Sequence, residues 1–150
     1  MGALTLNRLR HQDDGAEVIE MAVVLPLLLL LIMGIIDFGF LFQRYVVLTN
    51  AAVEGARVAT LPGYTDDDAV ARVQEYAVNG GIADAVAAEV AAVALPAPGG
   101  GVWPGRQVTA THVYDLQYIG PIAALFGGEE TASITLTARS TMRSQVAAAP

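Results

Sequence analysis

From Met21 to Phe42 the chain carries a single charge, Asp37, and that stretch constrains everything else the sequence can do. Met21 to Ile36 is uncharged and contains five consecutive leucines, Leu27 to Leu31. After Asp37 the run resumes as Phe38-Gly-Phe-Leu-Phe42. At 1.5 Å per residue a helix over these positions is about 33 Å long, close to the roughly 30 Å hydrocarbon core of a bilayer. A helix apolar around its whole perimeter must be covered by lipid or by a much larger protein, and 150 residues offer little cover. The segment is therefore expected to cross a membrane.

Charge bias gives the expected direction. Arg8 and Arg10 precede the segment, which places the short N-terminus in the cytoplasm and residues 43–150 outside it. A cleaved secretory signal is the rival reading. Its apolar region is typically about 7–15 residues and ends in an A-x-A-like pattern, whereas here the run is longer and is followed by Gln43-Arg44-Tyr45.

Composition removes several function classes. Hydrophobic residues are 54% of the chain, so it is not disordered as a whole. Eight basic and fifteen acidic residues give a net charge of −7, which argues against a nucleic-acid binder. With no cysteine there is no disulfide framework, zinc-thiolate site or cysteine nucleophile.

The helical pattern continues past the apolar run. Between Gln43 and Leu61 there is no proline, and Ala52, Gly55, Ala56 and Ala59 fall at i, i+3, i+4, i+7. Such a face of small residues lets another backbone come close, and it is the expected packing face of the helix. Asn50, Glu54 and Arg57 form a polar stripe, and Pro62-Gly63 ends the pattern. One helix from about Ala16 to Leu61 would measure roughly 70 Å, with Pro26 and Gly34 as candidate bends. A second helix is expected to start at Thr65-Asp66-Asp67-Asp68, which lacks calcium-loop spacing but supplies a cap and negative charge at the helix N-terminus. Val70, Val73, Ala77 and Val78 give it an apolar stripe, and Gly80-Gly81 closes it.

The last third reads as sheet. Val108 to Ile119 is rich in Thr, Val and Tyr, and Ala132 to Arg143 alternates, with Ile134, Leu136, Ala138 and Met142 on one face. Glu89 to Leu95 is expected to be a first strand entering a hairpin through Pro96-Ala-Pro-Gly-Gly-Gly101. Gly120 to Glu130 is read as the connection between the last two strands. The expected fold is α+β: a long N-terminal transmembrane helix continuing into a small domain with a short helix and a three-stranded antiparallel sheet. The apolar face of the sheet needs a partner, and the small-residue face of the long helix is the nearest candidate.

Catalytic and metal constellations are sparse. His11 and His112 are the only histidines, one on each side of the apolar run. Gly99-Gly-Gly101 lacks the Lys-Ser/Thr that completes a phosphate loop, and Trp103 beside Pro104 reads as a packing residue. No metal, no cofactor and no enzymatic activity are expected.

Glu20 is the residue that needs an explanation, because a carboxylate at the edge of an apolar span is costly unless partnered. Ala16 lies one turn earlier and follows Gly15; a cut between them would create an α-ammonium able to neutralise Glu20 of the same chain or of a neighbour. Gly15-Ala-Glu-Val-Ile-Glu20-Met, running straight into the apolar helix, resembles the class III signal of type IV pilin-like proteins. Together with Glu20-Met-Ala-Val-Val-Leu-Pro-Leu-Leu-Leu-Leu-Leu31, Gly34-Ile-Ile-Asp-Phe-Gly39 and Thr49-Asn-Ala-Ala-Val-Glu-Gly-Ala-Arg57, it is similar to the TadE-like family. The likeness covers 15–61 and, more loosely, about 106–143, ending at Ile134-Thr-Leu-Thr-Ala-Arg-Ser-Thr-Met-Arg143.

That resemblance implies a pilin-like fold and a minor pilin or pseudopilin of a tight-adherence (Tad/Flp) pilus. Gly15 and Ala16 would be the prepilin peptidase cleavage pair and Glu20 the assembly glutamate. The implied parts are a cytoplasmic leader (1–15), a membrane half of the long helix (16–42), an extracytoplasmic half (43–61) and a small extracytoplasmic α+β domain (62–150). Implied partners are other pilin-like subunits, the prepilin peptidase, the inner-membrane pilus assembly platform and membrane lipid, with no nucleic acid. Asp13-Asp14 stands where a basic residue often precedes the glycine, and Met21 where an aromatic is common. The alternative reading is an unprocessed bitopic anchor or scaffold of a pilus or secretion assembly complex.

Overall fold

A computed structural model of the chain describes residues 3–83, 85–125, 127 and 133–144, with backbone alone for 3–14, 16, 123 and 125. The elements are α1 (Ala3–Ala59), α2 (Asp66–Asn79), β1 (Ala87–Pro96), β2 (Val102–Asp115), α3 (Ile119–Leu125) and β3 (Ser133–Arg143). The fold class is the expected α+β, with a three-stranded antiparallel sheet in the order β1-β2-β3. The described residues divide into two compact units. One holds α1 up to Phe38 together with α3; the other holds Gly39–Leu116 together with β3.

The long helix starts earlier than the sequence pattern suggests, at Ala3 rather than near Ala16, and is continuous through Gly15, Pro26 and Gly34. Residues 3–14 contain leucines and arginines, which favour helix, and a single interior glycine weakens a helix by only about 1 kcal/mol. From Val18 to Phe42 most of the large apolar side chains stand exposed; Leu30, Met33 and Leu41 are half-buried, Leu41 against the core.

The second unit carries a core built on the helix portion from Gly39 to Ala59. Leu48, Ala51, Ala52 and Ala56 are fully buried there. They meet Val73 and Ala77 of α2, Val108, Ala110 and Tyr114 of β2, and Leu136 and Ala138 of β3. On β2 the buried residues Val108, Ala110, His112 and Tyr114 alternate with more exposed ones, the period of a strand with one covered face. The register pairs Val90 with Val108 and Ala110 with Ala138, so small and β-branched side chains line the covered face.

Local chemistry sets the ends of α2. Thr65 is its N-cap: the Thr65 hydroxyl accepts from the Asp68 N–H at 3.3 Å while the Asp68 carboxylate accepts from the Thr65 N–H at 2.8 Å. This reciprocal pair satisfies two donors that a helix start leaves open. The Thr65 N–H first, and the Thr65 hydroxyl, which donates to the same carboxylate at 2.8 Å, second, hold the Asp68 carboxyl below its ordinary pKa. At the other end the Gly80 N–H donates to Tyr76 and the Ile82 N–H to Ala77, with Gly81 at a φ of 88°. Within the stripe expected on this helix, Val73 and Ala77 are buried, Val78 is exposed, and Ala69 takes the remaining inward place.

Two sheet expectations need correction. β2 begins at Val102, not Val108, and Pro104-Gly105 lies within the strand. The last ladder pair with β3 is Gly105 with Arg143, so Pro104 stands past it, where its missing N–H costs least. β2 also ends at Asp115 instead of running to Ile119, and Ile119–Leu125 is a helix where a plain connection was expected. The expected first residue of β3, Ala132, and part of the 120–130 connection lie outside the described residues.

Candidate assembly helix and its buried aspartate

Gly15, Glu17 and Glu20 lie on exposed positions at the N-terminal start of the apolar run. Glu17, Glu20, Met21 and Val24 share one helix face at i, i+3, i+4, i+7 and line a shallow open groove. Two like charges one turn apart repel weakly, so a cation brought to this face would be favoured. The Gly15–Ala16 bond lies inside α1, so cutting it requires that turn to open; the side chain of Ala16 lies outside the described residues.

Further along, Ala52, Gly55 and Ala56 are buried and Ala59 is half-buried against the core. Gly55 is the closest approach. A Cβ placed on it would run into Val73 Cγ2, meet the Ala69 carbonyl at 3.2 Å and reach Val108 Cγ1 at 3.4 Å. The small face thus receives both α2 and β2. On the opposite stripe Asn50 and Arg57 are exposed, and Arg57 lies 3.8 Å from Glu54.

His112 is not in a cleft. It is 2% exposed on the covered face of β2, with its Nε2 3.5 Å from the Arg44 guanidinium, which also lies 5.3 Å from the centroid of the Tyr114 ring. Its Nδ1 has no hydrogen-bond partner among the described residues. The arrangement is a packed polar joint between α1 and β2. The His11 side chain lies outside the described residues. Trp103 is a local packing residue, with the Arg143 guanidinium 3.8 Å over its ring.

The residue that pattern reading passed over is Asp37. It is fully buried, and its carboxylate accepts from the backbone N–H groups of Gln117 (3.1 Å), Tyr118 (3.1 Å and 3.3 Å, one to each oxygen) and Ile119 (2.7 Å). It caps α3, within the unit that contains the apolar part of α1. The available signal was its isolation: a lone acid in an apolar run needs a partner, and the donors come from about 80 residues away in sequence.

The helix is long and apolar enough to cross a membrane, which is consistent with a single-pass membrane protein. Residues 15–57 match the family model described as TadE-like protein, a stretch that takes in the helix start, the apolar run and the small-residue face up to Ala56. The looser likeness at 106–143 lies outside that match. No curated protein and no solved structure matches the chain. The match and the apolar helix together fit a membrane protein associated with a Tad pilus.

Proposed function

We propose that the chain is a pilin-like structural subunit, a minor pilin or pseudopilin of a Tad/Flp pilus, and not an enzyme. The observation that carries this reading is that the TadE-like match, residues 15–57, falls on a helix most of whose large apolar residues from Val18 to Phe42 are exposed. In the bilayer those residues face lipid. On entering a filament they exchange lipid for the helices of neighbouring subunits. A prepilin peptidase cuts after Gly15 on the cytoplasmic side, and the assembly platform in the inner membrane receives the product.

In this mechanism the freed Ala16 ammonium of one subunit neutralises Glu20 of the next. A carboxylate and an ammonium placed together at an apolar boundary relieve the desolvation each suffers alone, which fixes the axial step between subunits. The exposure of Glu20 on the Glu17, Met21 and Val24 face supports it, since a neighbour's N-terminus can reach that face.

The intact mass of membrane-extracted protein tests the processing step: a chain beginning at Ala16 is expected. Glu20→Ala, and Gly15→Ala with cleavage blocked, should each remove the subunit from sheared pili while leaving it in the membrane. Full-length mass with unchanged incorporation of Glu20→Ala would sink the mechanism and favour the unprocessed anchor or scaffold. Orientation is read in right-side-out membrane vesicles by single cysteines at Ala97 and, in the uncleaved Gly15→Ala chain that keeps residues 1–15, at Thr5. An impermeant maleimide should reach Ala97→Cys and not Thr5→Cys.

A further inference from the structure

We propose that α3, with the turn before it, is a second membrane contact: residues 118–125 lie beside α1 in the bilayer interface, held there by Asp37. The inference rests on α1 crossing the bilayer, and not on the pilus assignment.

The position of Asp37 comes first. On α1 it stands about 7 Å short of Phe42, where the apolar run ends, and Gly34 stands about 12 Å short of it. A carboxylate at that depth must be partnered, and it is: Gln117, Tyr118 and Ile119 direct their N–H groups at its two oxygens. The need is mutual. A helix start leaves backbone donors open, and below the headgroups no water reaches them. Each group satisfies what the other lacks, so the pair can enter a region where neither could go alone.

Packing and composition point the same way. The Ile119 Cδ1 methyl lies 3.5 Å from where a Cβ on Gly34 would stand, so α3 starts against α1 within its apolar run. From Leu116 to Gly128 the sequence has no charged side chain, and Tyr118-Ile-Gly-Pro-Ile-Ala-Ala-Leu125 is almost wholly apolar. Tyr118 is 40% exposed, and a tyrosine with an apolar body and a polar tip is the residue type enriched at headgroup level. The occupant of the outward side of α3 is therefore lipid, because the helix it adjoins is itself uncovered there.

The chain has no cysteine, so single cysteines carry an environment-sensitive fluorophore cleanly. Full-length Leu28→Cys, Ile122→Cys and Ala97→Cys are labelled in phosphatidylcholine vesicles, with brominated acyl chains as the lipid-side quencher and iodide as the aqueous one. The label at Ile122 should be quenched by bromolipid, with iodide quenching about fivefold weaker than at Ala97. Asp37→Ala should bring the Ile122 label to the Ala97 level for both quenchers. Iodide quenching at Ile122 equal to that at Ala97 overturns the proposal. So does protection from iodide without bromolipid quenching, which would mean that protein, another subunit or a second copy, covers α3. The comparison at native Asp37 decides the matter even where Asp37→Ala fails to fold. A Leu28 label untouched by bromolipid would instead defeat the membrane reading itself.

Discussion

Gly55 shows how much can hang on one absent methyl group. It sits where Val73, the Ala69 carbonyl and Val108 converge on α1, and none of the backbone can move aside cheaply. Gly55→Ala should destabilise the fold by about 1–3 kcal/mol, read from the thermal melt of the detergent-solubilised full chain. Gly39→Ala, at an open position on the same helix, should be neutral or slightly stabilising, because alanine is the better helix former. His112 makes a matching point about polar residues. Its burial beside Arg44 gives it a packing role, so His112→Ala should cost about 1–3 kcal/mol in the same melt through the cavity left behind. Equal melting points for the variant and the parent would show that the joint contributes nothing. Asp37 belongs at this scale too: one acid was visible as an oddity in the sequence, but its three donors were not.

At the scale of elements, α2 is the clearest case of local sequence deciding local structure. Thr65 and Asp68 form a reciprocal capping pair that the Thr-x-x-Asp spacing announces. Thr65→Ala should lower stability by about 1 kcal/mol, measured as a shift in the denaturation midpoint. The pair also sets a pH dependence. Because folding lowers the pKa of Asp68, its contribution is present above the ordinary aspartate value of about 3.9 and is lost as pH falls through the lower folded-state value. Acid titration of helix content should therefore show a loss below about pH 4 that is smaller in Asp68→Asn. A titration curve identical in the two chains would remove the cap from the account. β2 and α3 are the opposite case. Pro104-Gly105 lies within a strand, because β3 has ended its ladder at Gly105 while β1 still pairs Ala94 with Pro104. Ile119–Leu125 contains Gly120 and Pro121 and looks like a loop, yet it is helical, because its leading N–H groups have a carboxylate to meet.

For the whole molecule, the uncovered apolar run of α1 sets the solvent the protein needs. Washing membranes with alkaline carbonate should leave the chain in the pellet. Leu29→Arg, at mid-run, should raise the cost of insertion by about 2.5–3.5 kcal/mol and move a large share into the soluble or degraded fraction. Full release of the unsubstituted chain by carbonate would show that α1 does not span the bilayer.

Much of this was written in the sequence, because the decisive signals are local and periodic. The unbroken run from Met21 to Ile36, the small residues at Ala52, Gly55, Ala56 and Ala59, the Thr65 cap and the alternation of β3 each need only neighbours within a turn or two to be read. The TadE-like match over residues 15–57 rests on the same local stretch. Only the tertiary structure decided which partners those faces received. It brought Val73 and Val108 onto Gly55, set His112 against Arg44, and carried the 117–119 amides to Asp37. Those choices depend on contacts between segments far apart in the chain, and no pattern of nearest neighbours records which distant donor will satisfy a buried acid.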